Sequence, residues 1–168
     1  MIAIRDESTD DIAAIADVTS QAFAGMKHSD QTEPAIIAGL RNAGALALSL
    51  VADDEGEVVG HAAFSPVLID GRECGWFGLG PISVHPRLQN KGIGSLLIRA
   101  GLDRLRVLGA NGCVVLGDPA YYARFGFVGG SRLRFAGAPS EYFMWLDLPA
   151  GDGAASGHVD YHPAFFGR

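Results

Sequence analysis

The chain has 168 residues, of which 48% are hydrophobic and 19% charged, with a formal charge of −6. Such a composition suits one folded domain with a real core and excludes intrinsic disorder. The negative balance argues against general affinity for nucleic acid or anionic membrane. Eleven of the thirteen basic residues are Arg, which favours planar, forked recognition of anions wherever a cationic group is used. The N-terminus, MIAIRDESTDD, lacks the charged-then-apolar order of a signal peptide. The longest apolar run, 45–52, is interrupted by Ser49 and falls far short of the ~20 residues of a membrane span. A cytoplasmic location is therefore expected. The two cysteines, Cys74 and Cys113, have no metal-like spacing, so no metal is expected. Cys113 is expected to pack as a small buried apolar residue.

In chain order, Met1 to Arg5 alternates as a first strand, and Ser8 or Thr9 caps a helix with Ile12, Ile15, Ala16 and Phe23 on its buried stripe. EPAIIAGLRNAG reads as a second helix, with Pro34 near its start and Gly44 beyond its end. ALALSLVAD and VVGHAAFSPVLI form two strands joined by DDEGE, and the turn at Asp70–Arg72 leads into a strand ending near Val84. From Gly92 onward, Ile93, Leu97, Ala100, Leu105 and Leu108 recur at helical spacing, and Gly109 stops the helix. Gly112 to Leu116 carries no polar side chain, as a central strand would. DPAYYARF is a short helix capped by Asp118, and EYFMWLDL is a late strand. Residues 149–157 form a small-residue linker before a tail whose Tyr161, Phe165 and Phe166 imply docking onto the body. The order β-α-α-β-β-β-α-β-α-β-β gives an α+β fold, a three-layer α/β/α arrangement.

The stretch QNKGIG, Gln89 to Gly94, sits between a strand and a long helix. Glycine inside a helix costs about 1 kcal/mol against alanine, so two at a helix start ask for a reason. A helix N-terminus offers unpaired N–H groups and partial positive charge, and glycines let a bulky anion approach that backbone. No GxxxxGK[ST] string exists, and the position three after Gly94 is Leu97, so neither of two common phosphate-loop fingerprints applies. Taken alone, QxxGxG equally describes a strained loop.

The run ISVHPRLQNKGIGSLLIRAGLDRLRVLGANGCVVLGDPAYYARFGF, with GLGP before it, resembles the coenzyme A-binding core of the GNAT N-acetyltransferase superfamily, nearest its uncharacterised bacterial YhbS-like branch. The likeness extends from SLVADDEGEVVGHAAFSPV to EYFMWLDL and the tail. It implies a mixed, mostly antiparallel sheet with a splayed central strand pair, a single domain over 1–148, and a tail over 149–168 docked on it. It implies acetyl-CoA as cosubstrate, held by backbone groups of Gln89, Asn90, Lys91, Gly92, Ile93, Gly94 and Ser95 at the pyrophosphate. Ile82, Ser83 and Val84 would bond the pantetheine arm as an added strand does. Lys91 and Arg87 are candidates for charge near the phosphates. Pro81 marks either the start of a strand or the bulge that opens the splay.

Transfer from a thioester to an amine needs a neutral amine, a donor for the carbonyl oxygen and a proton for the departing sulfur. The resemblance selects Tyr122, four residues before Gly126-Phe127, as the acid, with Tyr121 in a packing position. The abrupt LGDPAYY departs from relatives with a longer segment there. Glu33, Glu73, Glu141, His61 and His85 are candidates for the base, and His158 and His162 lie in the tail. The acceptor is expected to be a primary amine of a small molecule or a protein. No nucleic acid or membrane partner is expected, and a homodimer stays open. The alternative reading is a coenzyme A-binding sensor or scaffold without turnover, which would keep the glycines but not need Tyr122.

Overall fold

The computed structural model describes residues 1–167. Its strands are β1 (Ile2–Asp6), β2 (Leu48–Asp54), β3 (Glu57–Ile69), β4 (Arg72–Val84), β5 (Gly112–Leu116), β6 (Leu133–Arg134), β7 (Phe143–Asp147) and β8 (Gly157–Asp160). Its helices are α1 (Ile12–Phe23), α2 (Glu33–Asn42), α3 (Ile93–Val107) and α4 (Pro119–Tyr122). The sheet runs β1-β2-β3-β4-β5-β7, and β8 pairs with both β3 and β6. β1–β2, β2–β3, β5–β7 and β3–β8 are antiparallel, while β4–β5 and β6–β8 are parallel. This is the mixed, mostly antiparallel sheet flanked by helices that the sequence implies.

The contacts gather the chain into two compact units, with β3, β4 and α3 continuing through both. The first holds Met1–Phe64, Pro81–Gly101 and the residues from Pro163 on. Its core joins Ile15 and Ile37 of the helices to Val51 and Ala63 of the sheet. Near the C-terminus, Ala164 packs with Ile36 and Leu40. Arg5 ties β1 to the start of α1, with its Nη1 and Nη2 on the Asp11 carboxylate at 2.7 and 3.0 Å and its Nε on Asp53 at 2.9 Å. The Arg5 bonds, followed by the Ser8 N–H, hold the Asp11 carboxyl well below the usual carboxylate range. On the opposite side of the sheet, a Cβ on Gly60 would meet Leu97 and Ile93 of α3, and one on Gly101 would stand 2.1 Å from Cζ of buried Phe64. Glycine at 101 is therefore a packing requirement within the helix.

The buried stripe of α1 differs from the sequence expectation. Ile15, Val18 and Thr19 are buried, whereas Ile12 and Ala16 face outward. Spacing by hydrophobicity alone passes over Thr19, a polar residue made compatible with burial by donating to the Ile15 carbonyl at 2.7 Å.

The second unit holds Ser65–Gly80 and Leu102–His162. β5 is buried from Gly112 to Val115, between β4 and β7, as its apolar composition predicts. Cys113 is buried, and both cysteines are free thiols. The β4–β5 ladder runs from Trp76↔Gly112 to Leu79↔Val115 and ends there, at Gly80 and Pro81. Pro81 thus sits inside β4 rather than at its start, and the missing N–H falls where pairing with β5 has ceased. β8 supplies a second short strand in the C-terminal segment, with Leu68↔Asp160 and Leu133↔Gly157 in register.

Candidate functional site

The first unit carries the glycine loop. β4 ends at Val84, and His85 N–H donates to the Val59 carbonyl at 2.8 Å, continuing the β3–β4 pairing one residue past the strand. A 3-10 turn over Pro86–Leu88 follows, and the Gln89 side chain reaches back to the Val84 carbonyl at 3.1 Å. Asn90 and Gly92 then adopt left-handed backbone, at φ 63° and 87°. The Gly92 carbonyl accepts from Leu96 N–H at 3.1 Å, so α3 starts there. At the start of a helix the first N–H groups have no preceding turn whose carbonyls they could bond, and this helix starts at Ile93. A Cβ on Gly92 would meet nothing within 4 Å. The positive φ favours glycine, and the space beside it is open, as a cradle for an anion requires.

Of the basic candidates here, Arg87 is committed to Glu57 at 2.8 Å on the surface, and Lys91 is exposed. Ser83 is buried, with its Oγ 3.3 Å from Thr19 Oγ1 of α1. Because the Thr19 proton goes to the Ile15 carbonyl, Ser83 is the donor in that pair. The Ser83 side chain thus faces α1.

Among the base candidates of this unit, Glu33 accepts from Ser29 Oγ at 2.7 Å. His85 is half-buried and its Nδ1 accepts from Arg87 N–H at 3.3 Å. His61 is fully buried, and its Nε2 lies 2.7 Å from Ser49 Oγ. Burial pushes its pKa down to about 4, against the pull of Glu7. Sequence reasoning missed the groups around it. Glu7 receives Arg41 twice, at 3.0 and 2.9 Å, and also bonds Ser49 Oγ. Burial opposes charge on Glu7, but the bonds from Arg41 and Ser49 prevail and hold its pKa below the ordinary value. Glu7, Arg41, Ser49 and His61 are scattered over 55 positions, a set that no local motif announces.

Tyr122 belongs to the second unit. Asp118 caps α4 by accepting Ala120 N–H at 2.9 Å, as its position predicts, and Pro119 occupies the first turn. The chain then closes at Gly126, in left-handed conformation at φ 98°. Tyr122 packs edge-on to Tyr121 and Phe127, at 5.0 and 5.9 Å between ring centroids. A Cβ on Gly117 would strike its ring at 2.4 Å. Burial, then the neighbouring Tyr121 and Cys113, pushes the Tyr122 phenol up to about 12. Tyr121 is half-buried, with Arg124 4.5 Å above its ring. Glu73, Glu141 and His158 are exposed.

Comparison with known proteins agrees with this geometry. Residues 46–129, half of the chain, match the acetyltransferase (GNAT) domain. Over 138 residues the chain is 38% identical to the uncharacterized N-acetyltransferase YhbS of Escherichia coli strain K12, covering 79% of this chain and 83% of that protein. A GNAT family acetyltransferase from Brucella melitensis, solved in complex with acetyl-CoA, is 49% identical with a TM-score of 0.83 over 98% of both chains. Escherichia coli YhbS, solved in complex with CoA, is 36% identical with a TM-score of 0.88, over 98% of this chain and 92% of that one. No helix among the described residues is long and apolar enough to cross a membrane. With the strand, glycine loop and helix in the order that this fold uses, and with relatives of such identity along nearly its whole length, the chain belongs to the GNAT N-acetyltransferase family, in its YhbS-like branch.

Proposed function

We propose that this enzyme transfers the acetyl group of acetyl-CoA to a primary amine of a small molecule or a protein. The observation that carries the reading is the start of α3, where Gly92 at φ 87° leaves open space beside the first N–H groups of a 15-residue helix. Such a helix end suits a pyrophosphate, and the Brucella and Escherichia coli relatives hold acetyl-CoA and CoA. The residues that would hold the ligand are Gln89, Asn90, Lys91, Gly92, Ile93, Gly94 and Ser95 at the phosphates. Ile82, Ser83 and Val84 would serve the pantetheine arm through their main chain. Acetyl-CoA supplies an activated thioester. Tyr122 supplies the proton that the departing sulfur needs, since a phenol with a pKa of about 12 stays protonated at neutral pH.

Calorimetric titration with acetyl-CoA, beside acetyl-pantetheine lacking the pyrophosphate, tests the cradle. Saturable binding of the first and at least tenfold weaker binding of the second are expected. Thiol release from acetyl-CoA is then measured with a panel of primary amines: polyamines, aminoglycosides, aromatic amines, amino-acid amides and tripeptides with free N-termini. Acetyl-CoA binding without thiol release on any of them would refute amine transfer.

A further inference from the structure

Resting on the acetyl-transfer reading, a second role follows from how the protons of one buried network are distributed. Glu7 is ionised and bonded twice by Arg41, so its carboxylate only accepts. Ser49 has one hydroxyl proton, and its bond to Glu7 consumes it. At 2.7 Å from His61 Nε2, Ser49 Oγ therefore accepts, and the proton of the neutral imidazole resides on Nε2. Nδ1 is left as a bare lone pair. It is buried, and no group among the described residues donates to it. A buried acceptor left without a donor costs about 1–3 kcal/mol, so its persistence here calls for a donor from outside the chain.

The place of that lone pair matters. Val59 and His85 are bonded across β3 and β4. His61 and Ser83 each lie two residues further along these antiparallel strands, so alternation sets both on the face that Thr19 of α1 covers. His61 thus neighbours the stretch Ile82–Val84, to which the pantetheine arm is assigned above. The charged groups acting on His61 are Glu7, which follows β1, and Arg41 of α2. Its neighbours on β2, Ser49 by hydrogen bond and Val51 in register, are uncharged.

We propose that His61 Nδ1 is the proton acceptor of the transfer, with Ser49 and Glu7 as positioning residues that fix its tautomer. An N–H bond of the incoming ammonium breaks, directly or through one water. The proton forms the Nδ1–H bond, and the freed electron pair on nitrogen attacks the thioester carbonyl. The imidazolium so formed is offset through Ser49 by the Glu7 carboxylate, and its proton returns to water when product leaves.

Two measurements on the full chain decide this. In 15N-histidine NMR at pH 7, His61 is expected as the Nε2–H tautomer, with Ser49→Ala producing a mixture. An Nδ1–H tautomer in the wild type would overturn the proposal. Thiol release with the fastest amine of the panel is then compared among variants. His61→Asn is expected to lower kcat about 100-fold, with KM for acetyl-CoA within twofold, and to remove the acid limb of the pH–rate profile. Ser49→Ala is expected to lower kcat about tenfold and displace that limb. Should His61→Asn fail to fold, as judged by circular dichroism and acetyl-CoA binding, Ser49→Ala decides, because it retains the imidazole and removes one oxygen. Variants with wild-type kcat and pH profile sink the proposal alone. A wild type that releases thiol with no amine sinks the transfer reading, and this proposal with it.

Discussion

Gly92→Ala separates the two demands made on the loop. The backbone at Gly92 has φ 87°, where a side chain costs about 1–2 kcal/mol, while the loss of glycine freedom in the unfolded chain returns about 0.4–1. A net destabilisation of about 1 kcal/mol follows, with no steric addition, since the new Cβ meets no protein atom within 4 Å. Gly56, in the β2–β3 turn, is a matched control with φ 93° and equally open surroundings. Gly56→Ala carries the same strain at a turn to which no ligand is assigned. Both variants should lose about 1 kcal/mol in urea denaturation. Only Gly92→Ala should weaken acetyl-CoA, because its methyl group occupies the approach to the α3 N–H groups. One charge-assisted hydrogen bond is worth about 1.5–3 kcal/mol, so the calorimetric Kd should rise about 10- to 100-fold. Equal Kd values for the wild type and both variants would refute the anion cradle, whatever happens to stability.

Other expectations follow from particular contacts. Tyr122→Phe removes one hydroxyl and should lower kcat about 100-fold while KM for acetyl-CoA holds; an unchanged kcat removes the phenol from the proton path. His61 has its pKa depressed from 6.5 to about 4, so the stability of its neutral buried form is complete above pH 6.5 and is lost as pH falls toward 4. At 1.36 kcal/mol per unit this amounts to about 3 kcal/mol, readable as a slope in urea-derived stability that His61→Asn should flatten. Gly101→Ala gains about 1 kcal/mol of helix propensity but forces a methyl to 2.1 Å from buried Phe64, so net destabilisation is expected; adding Phe64→Leu should restore stability, and additive losses in the double-mutant cycle would contradict the packing account.

The parts of the fold that were legible in the sequence have local causes. α3 is written in its apolar spacing, and its ends are marked by Gly92 and Gly109, both of which take positive φ. The cap at Asp118 is equally local, because a carboxylate two residues before an N–H bonds it with little help from elsewhere. The strands β6 and β8 were not legible. Leu133 pairs in parallel with Gly157 across 24 positions, and GHVD carries neither the β-branched run nor the flanking turn by which a strand is read. The α1 stripe was misread because burial there includes a threonine whose hydroxyl is satisfied by its own helix. Pattern reading scores hydrophobicity, while burial depends on whether a polar group finds a partner.

The same distinction explains why half of the candidate site escaped the sequence. The loop Gln89–Gly94 is contiguous, and its glycines betray it. The groups that fix the neighbouring strand come from three separate segments. Thr19 of α1 takes the Ser83 hydroxyl, Val59 of β3 takes the His85 N–H, and the Gln89 side chain holds the Val84 carbonyl. With the ends and one face of Ile82–Val84 restrained in this way, the strand is set before any ligand arrives, which lowers the ordering cost of binding. His61 shares that restrained face, and its tautomer is set by Ser49 and Glu7. A ligand laid along β4 and a proton taken by β3 would therefore be registered by a single frame of hydrogen bonds. Loosening Thr19–Ser83 with Thr19→Val should then raise KM for acetyl-CoA and lower kcat together, whereas a change in KM alone would show that the two tasks are held separately.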